Sequence, residues 1–566
     1  MVNYKEAIAK ILSESIDAMS YDEILTLVEH PKNPEMGDYA FPCFKLAKAF
    51  RKAPNVIAEE LVATLGTVEL FSKIEAIAGF LNFTVDAEQF AKNVVEEVVK
   101  LGDAYGASNV GEGKKTIIEY SSVNIAKPFH MGHIRSTMIG ESLHRIYKFL
   151  GYDTVAVNHL GDYGTQFGKL IVAYKLWGDK DVIDADPIPE LLKIYVKFHQ
   201  EAETNPALED EARAWFTKLE NGDAEATELW TLFKDMSLKV FNRVYGKLGV
   251  TFDSYAGESF YSDKMPAIIQ ELRDKKLVEK SEGAEIVNLE PYGLIPALIT
   301  KKDGSSLYLT RDLAAAKYRK EHYNFDKNIY VVGSAQKLHF QQWIKIVELM
   351  GYDWYKDCIH VEFGMVALEY GALSTRKGNV AFLEDVLDKA VEKTLEIINE
   401  KNPNLENKEV VASQIGVGAV VFQELYTSRT KDYSFVLDKT LSFEGETGPY
   451  VQYTHARACS VLRKVGDSTE VTADYSVLSD EASKAVVRTL SKFGEVVLLA
   501  HKNYEPHTVA RYAVELAQSF NRFYHDNPIL VDDEAVKSAR VALVKSVEIV
   551  LKNALYLVCL QAPEQM

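Results

Sequence analysis

Two imidazoles three residues apart, in His130-Met131-Gly132-His133, are the first residue types in this 566-residue chain whose spacing suggests chemistry. Residues three apart project from one face of a helix. At a helix N-terminus they would stand beside unbonded N–H groups and the positive end of the helix dipole. Together these suit a phosphate that gains charge in a transition state. Lys127, just upstream, adds a cation, and Gly132, having no Cβ, lets a flat base approach the backbone. The alternatives are a chance pair at a helix start or two ligands of a metal. A metal would want a third ligand, which the sequence does not identify, so no metal site is assigned.

The elements that must position this pair are readable from apolar spacing. Thr116-Ile117-Ile118 reads as a buried strand and residues 119–128 as a polar loop. A helix is predicted from about His130, because Met131, Ile134, Met138, Leu143, Ile146 and Leu150 fall near a 3.6 period. Gly151 is placed to end it, and Asp153–Val157 reads as a second buried strand. Strand, helix, strand in this order predicts a right-handed βαβ unit, with ligands at the carboxyl ends of the strands. Two later junctions should share that edge. Leu307-Tyr308-Leu309 is strand-like, with Thr310 as the expected N-cap of a helix over 311–321. A strand over 329–332 leads to a helix carrying Gln336 and His339. The stretch 158–170 is not a phosphate loop, since Tyr163 and Leu170 stand where glycine and a hydroxyl residue are needed. Asn158, Gly161 and Asp162 are instead expected at the rim of the cleft. Residues 170–250 read as a helical insertion.

The carboxylates Glu119 and Asp312 in such a cleft suit a guanidinium, whose planar fork matches carboxylate geometry. Tyr308 and Gln336 could add hydrogen bonds or a stacking face; the alternatives are Asp312 as a partner of the helix dipole and Tyr308 as a core residue. Asn124 and His133 could hold an α-amino and carboxylate end. Upstream, residues 1–110 form a small α+β segment in which Phe80 and Asn82 could stack on and bond an unpaired base, or belong to the core. From 408 onward helical spacing dominates. Residues 427–464 mix basic and aromatic residues, among them Arg429, Tyr453 and Arg457, as phosphate contacts and base stacking require. The net charge of −18 disfavours a general nucleic-acid binder but leaves room for local basic faces. No apolar run is long enough to span a membrane. Four scattered cysteines, Cys43, Cys358, Cys459 and Cys559, fit a reducing cytoplasm rather than a disulfide framework.

The stretch EYSSVNIAKPFHMGHIRSTMIG, residues 119–140, resembles the first nucleotide-binding motif of class I aminoacyl-tRNA synthetases, and within that class the arginyl-tRNA synthetase family. The likeness continues in HPKNPEMGDYAFP and GFLNFTV near the N-terminus, in YLTRD, GSAQ and LSTRKGN, and in the C-terminal helices. It implies an α/β fold: a Rossmann-type parallel-sheet catalytic domain over 112–435, an N-terminal α+β module that contacts tRNA, and an all-α anticodon-binding domain over 436–566. It implies arginine-binding roles for Glu119, Asn124, Tyr308, Asp312 and Gln336, beside the His133 role read above from the residues. ATP roles are implied for Lys127, His130, Gly132, His133, Ser374, Arg376 and Lys377.

The second motif departs from the usual class I K-M-S-K-S: Ala372 replaces the first Lys, Leu373 the Met and Thr375 the second Lys, and Lys127 is the implied compensation. The implied reaction is ATP-dependent activation of L-arginine, with Mg²⁺ carried on the phosphates, and transfer to tRNA(Arg), with activation itself needing bound tRNA. A cytoplasmic monomer is expected. Another nucleotidyl transferase of the H-x-G-H superfamily, or an inert RNA-binding relative, are the rival readings.

Overall fold

The computed structural model describes residues 4–31, 33, 36–68, 70–301, 308–368, 382–466 and 473–566. It divides into two compact units. One comprises Met1–Tyr105, Arg457–Phe493 and Glu515–Leu551; the other comprises Gly106–Ala456, Gly494–Val514 and Lys552–Met566.

In the first unit, β1 (Tyr39–Pro42), β2 (Phe71–Ile77) and β3 (Phe80–Val85) form an antiparallel sheet in the order β1-β3-β2. Residues 76–85 form the tip and second arm of the β2–β3 hairpin. Ala78 and Gly79 both have positive φ at its turn, as a tight hairpin requires. Helix Ala87–Leu101 follows, capped by Asp86, whose side chain accepts from Gln89 N–H. Its buried face is Phe90, Ala91, Val94, Val95 and Val98.

The second unit is built on a four-stranded parallel sheet. Strands β4 (Lys115–Glu119) and β5 (Asp153–Val157) are joined by the helix Met131–Phe149, which confirms the expected βαβ unit. Residues 165–248 then form five helices, the last being Ala224–Leu248, around a core of Leu170, Ile171, Phe198, Trp215 and Phe233. A small antiparallel sheet of β6 (Glu279–Ser281), β7 (Ala284–Val287) and β8 (Ala297–Thr300) precedes the second half. Strands β9 (Lys327–Gly333) and β10 (Cys358–Phe363) complete the main sheet in the order β10-β9-β4-β5. Its centre is apolar on both faces, with Ile117, Ile118, Ile329 and Val331 buried, as a sheet covered by helices on both sides demands. A short parallel pair, β11 (Val366–Leu368) with β12 (Tyr433–Phe435), interrupts the helices expected from 408 onward.

One junction differs from expectation. Tyr308 and Leu309 are not strand: the helix begins at Tyr308 and runs to Tyr323. Thr310 lies inside it and donates its hydroxyl to the carbonyl of Ile299 in β8, 2.9 Å away, so it is no N-cap. A three-residue apolar run carries no period, and here tertiary packing against β8 decided its state.

Candidate active site

The histidine pair stands at the carboxyl end of β4, where the sheet edge was expected to act. His130 is the N-cap of helix Met131–Phe149. Its Nδ1 accepts from the N–H of Gly132 at 3.0 Å, and the N–H of His130 donates to Nδ1 of His133 at 3.1 Å. The rings stack at 3.8 Å. Both Nδ1 atoms therefore act as acceptors, which leaves the proton of each neutral imidazole on Nε2. Burial pushes the pKa of His130 down to about 4. Burial, His130 and Lys127 hold His133 well below its usual value. Near neutral pH the helix start thus presents two uncharged Nε2–H donors.

The loop that leads into this turn is conformationally strained. Ser121, Ser122 and Ala126 have φ of 68°, 50° and 57°, which non-glycine residues rarely adopt. The insertion helix Ala224–Leu248 holds it. Tyr245 Oη lies 2.8 Å from Ser121 Oγ and accepts from Asn158 Nδ2 at 2.9 Å, while Ala126 N–H donates to Ser237 Oγ at 2.8 Å. Asp162 ties the same helix to the cleft rim: its carboxylate accepts from Lys234 and Ser259. Gly161 faces Asn124 so closely that a Cβ would fall 1.8 Å from Asn124 Oδ1. Asn158 and Asp162 are fully buried just beyond β5, and the insertion helix, which no local motif ties to this loop, is its support.

Of the residues expected to bind a guanidinium, Asp312 carries its carboxylate on helix Tyr308–Tyr323, paired with His339 of helix Lys337–Leu349. Gln336 is exposed at the start of that second helix. Tyr308 is 57% exposed, under the Arg311 guanidinium. Glu119 differs from expectation. Its Oε2 lies 2.6 Å from Nη1 of Arg319, which is fully buried, so a resident guanidinium already engages this carboxylate. Burial opposes the charge on Arg319, but Glu119, Tyr261 and Tyr330 raise its pKa well above the usual range.

Glu258 was missed by sequence reasoning. It pairs with Arg311 at 2.8 Å, and burial raises its pKa to about 7, with Asp312 and Asp162 adding to the rise and Arg311 and Lys127 opposing it. Lys127 and Asp312 thus act on Glu258 electrostatically, and Glu258 in turn helps raise the pKa of Tyr308. No local motif marked it.

Ser374, Arg376 and Lys377 lie outside the described residues. Their flanks do not: β11 precedes them, and Phe382 bridges His130 in antiparallel fashion, with Leu383 N–H donating to Phe129 O at 2.9 Å. Among the residues considered for RNA, Asn82 is buried, and Phe80 packs edge-on against the exposed Phe44. Arg429 is engaged as a structural clamp, donating to Glu362 O and Tyr504 O. Tyr453 is 40% exposed, and Arg457 donates to Asn521 Oδ1. Among the described residues no helix is long and apolar enough to cross a membrane.

Three family models match successive parts of the chain. Residues 95–437 match "tRNA synthetases class I (R), catalytic domain", residues 451–566 match "DALR anticodon binding domain", and residues 3–85 match "Arginyl tRNA synthetase N terminal domain". Curated relatives named arginine–tRNA ligase from Halothermothrix orenii and Clostridioides difficile are 57% and 59% identical, each over 100% of both chains. The solved Thermus thermophilus arginyl-tRNA synthetase superposes with a TM-score of 0.82 at 26% identity, covering 100% of both chains. That of Plasmodium falciparum, at 22% identity, TM-score 0.81 and 100% and 99% coverage, shares the fold. On these likenesses and on the sheet, motif helix and histidine pair described above, the chain belongs to the arginyl-tRNA synthetases of class I.

Proposed function

We propose that this chain activates L-arginine with ATP and passes it to the 3′ end of tRNA(Arg), releasing pyrophosphate and AMP. The observation that carries the reading is the pair of Nε2–H donors at the first turn of helix Met131–Phe149, fixed by two backbone amides on the opposite ring nitrogens. The names of the full-length relatives support it. An arginine carboxylate oxygen attacks the α-phosphorus, a new P–O bond forms, and the bond to the β-phosphate oxygen breaks. His130, His133 and Lys127 stabilise the charge that develops, as preorganised donors do at a phosphoryl centre. Gly132 leaves room for the adenine. Mg²⁺ binds through the phosphates and needs no dedicated protein cage. A terminal ribose hydroxyl then attacks the arginyl carbonyl and AMP leaves.

Asp312, oriented by His339, takes the guanidinium of the substrate, with Tyr308 and Gln336 at its flanks. Asn124 and His133 hold the α-amino and carboxylate end, and Glu119 contributes the oxygen that Arg319 does not engage. Ser374, Arg376 and Lys377, outside the described residues, neutralise the leaving pyrophosphate. The segment 1–110 contacts tRNA, with the partly exposed Phe80 as the residue assigned to it, whereas Asn82 is buried. The helices from 436 onward read the anticodon region, with Tyr453 and Arg457 as the residues assigned to tRNA; Arg429, which precedes them, is engaged within the protein. The chain works in the cytoplasm as a monomer. Arginine-dependent ATP–pyrophosphate exchange tests the reading: exchange is expected only with arginine, ATP, Mg²⁺ and tRNA together. Exchange with a different amino acid contradicts it.

A further inference from the structure

Arg135 lies two residues beyond His133 on the same helix and is fully buried. Its Nη1 donates to the carbonyls of Lys431 (2.7 Å), Gly364 (3.2 Å) and, at longer range, Met365 (3.5 Å), and its Nη2 donates to Ser428 (3.1 Å). The carboxylate of Glu424, also fully buried, faces it with Oε2 3.9 Å from Nε. Tyr433 donates its hydroxyl to Glu424 and sets its ring 5.2 Å from the guanidinium. The proposed adenylation chemistry uses none of these groups directly.

The four carbonyls come from two chain corners. Gly364 and Met365 lead straight into β11, and Ser428 and Lys431 lead straight into β12. The corners also bond each other: Gly364 N–H donates to Arg429 O at 2.8 Å, Met365 N–H to Asp432 Oδ1 at 2.6 Å, and Tyr433 N–H to Met365 O at 3.2 Å. They pack without slack, since a Cβ on Gly364 would fall 2.5 Å from Asp432 Oδ1. A buried cation is tolerated only when its charge and its donors are matched together. A guanidinium can fork between two corners; an ammonium, a single point charge, cannot span them in the same way. Any shift of the strand pair against the motif helix therefore breaks several bonds to one group.

We infer that Arg135 is a positioning residue for adenylate formation: it locks the β11–β12 pair in register with the helix turn that carries His130 and His133. This rests on the proposed reaction. The test is Arg135→Lys in the full chain, read by arginine-dependent pyrophosphate exchange, by arginine KM and by tRNA Kd. Small displacements of a catalytic group cost on the order of 10²-fold in rate, so kcat is expected to fall by about that factor. Arginine KM and tRNA Kd should stay within about threefold, because ground-state binding is not what Arg135 controls. A normal kcat overturns the inference. So does a parallel decay of all three parameters, which is what a merely structural cation would give. Should Arg135→Lys not fold, Asp432→Asn loosens the same corner and must show the same split in milder form. A wild-type chain without arginine-dependent exchange overturns the proposed reaction and this inference together; a normal wild type with a normal variant overturns the inference alone.

Discussion

The imidazole Nε2 of His339 lies 2.5 Å from Oδ2 of Asp312, joining two helices that each start at the carboxyl edge of the parallel sheet. The carboxylate assigned to the substrate guanidinium is thereby aimed before any substrate arrives. Asp312→Asn removes the charged partner, and losing a hydrogen bond to a charged group costs about 1.5–3 kcal/mol. Arginine KM is expected to rise by about 10- to 150-fold, with kcat changed much less. His339→Ala should raise arginine KM in the same direction by a smaller factor, because it removes the orientation and not the charge. Steady-state charging at varied arginine checks both, and an unchanged KM in Asp312→Asn would mean that this carboxylate is structural.

His133→Ala deletes one of two preorganised donors. Removing a comparable donor typically costs about 10²–10³-fold in kcat. Adenylate formation should fall by that order while filter-binding affinity for tRNA is retained. Because both imidazoles titrate far below neutrality, the histidine pair should impose no loss of activity between pH 6 and 8.

Glu258 gives the opposite expectation for pH. Its pKa is raised to about 7, above the unfolded value, so the native state holds this proton more tightly between roughly pH 4.5 and 7. The stability this contributes is complete below the unfolded pKa and is lost as pH rises through about 7. Arg311 is bonded to it, Asp312, Asp162 and Lys127 act on it through their charges, and it acts on Tyr308 in the same way. Ionising Glu258 makes the pocket more negative, so arginine KM should fall as pH rises from 6 to 8. Glu258→Gln should flatten that profile, and a flat profile in the wild type would disprove the link.

Glu119 and Arg319 form a buried pair 2.6 Å apart. Glu119→Gln strands a fully buried cation, and breaking such a pair costs about 3–5 kcal/mol. The variant should unfold at lower denaturant than Asp312→Asn, whose carboxylate is partly exposed. Equal midpoints would show that Arg319 finds other partners.

The sheet and the histidine turn were legible because their signals are local. Asp153–Val157 and the helix from Met131 follow directly from apolar spacing and end signals. Tyr308 was misread because a three-residue apolar run cannot distinguish strand from helix. Glu119's commitment to Arg319, 200 residues away in the chain, left no local trace, nor did Glu258's position beside Asp312. The support that Tyr245 and Ser237 give to the strained 121–126 loop is likewise a long-range contact that spacing does not encode.

The measurement that tests the central claim most directly is charging of total tRNA with each of the twenty amino acids in turn, with ATP and Mg²⁺ present. The account predicts esterified tRNA with arginine alone, and loss of that product in His133→Ala. Charging with another amino acid would contradict the pocket built on Asp312, and no charging at all with tRNA still bound would identify an inert RNA-binding relative instead.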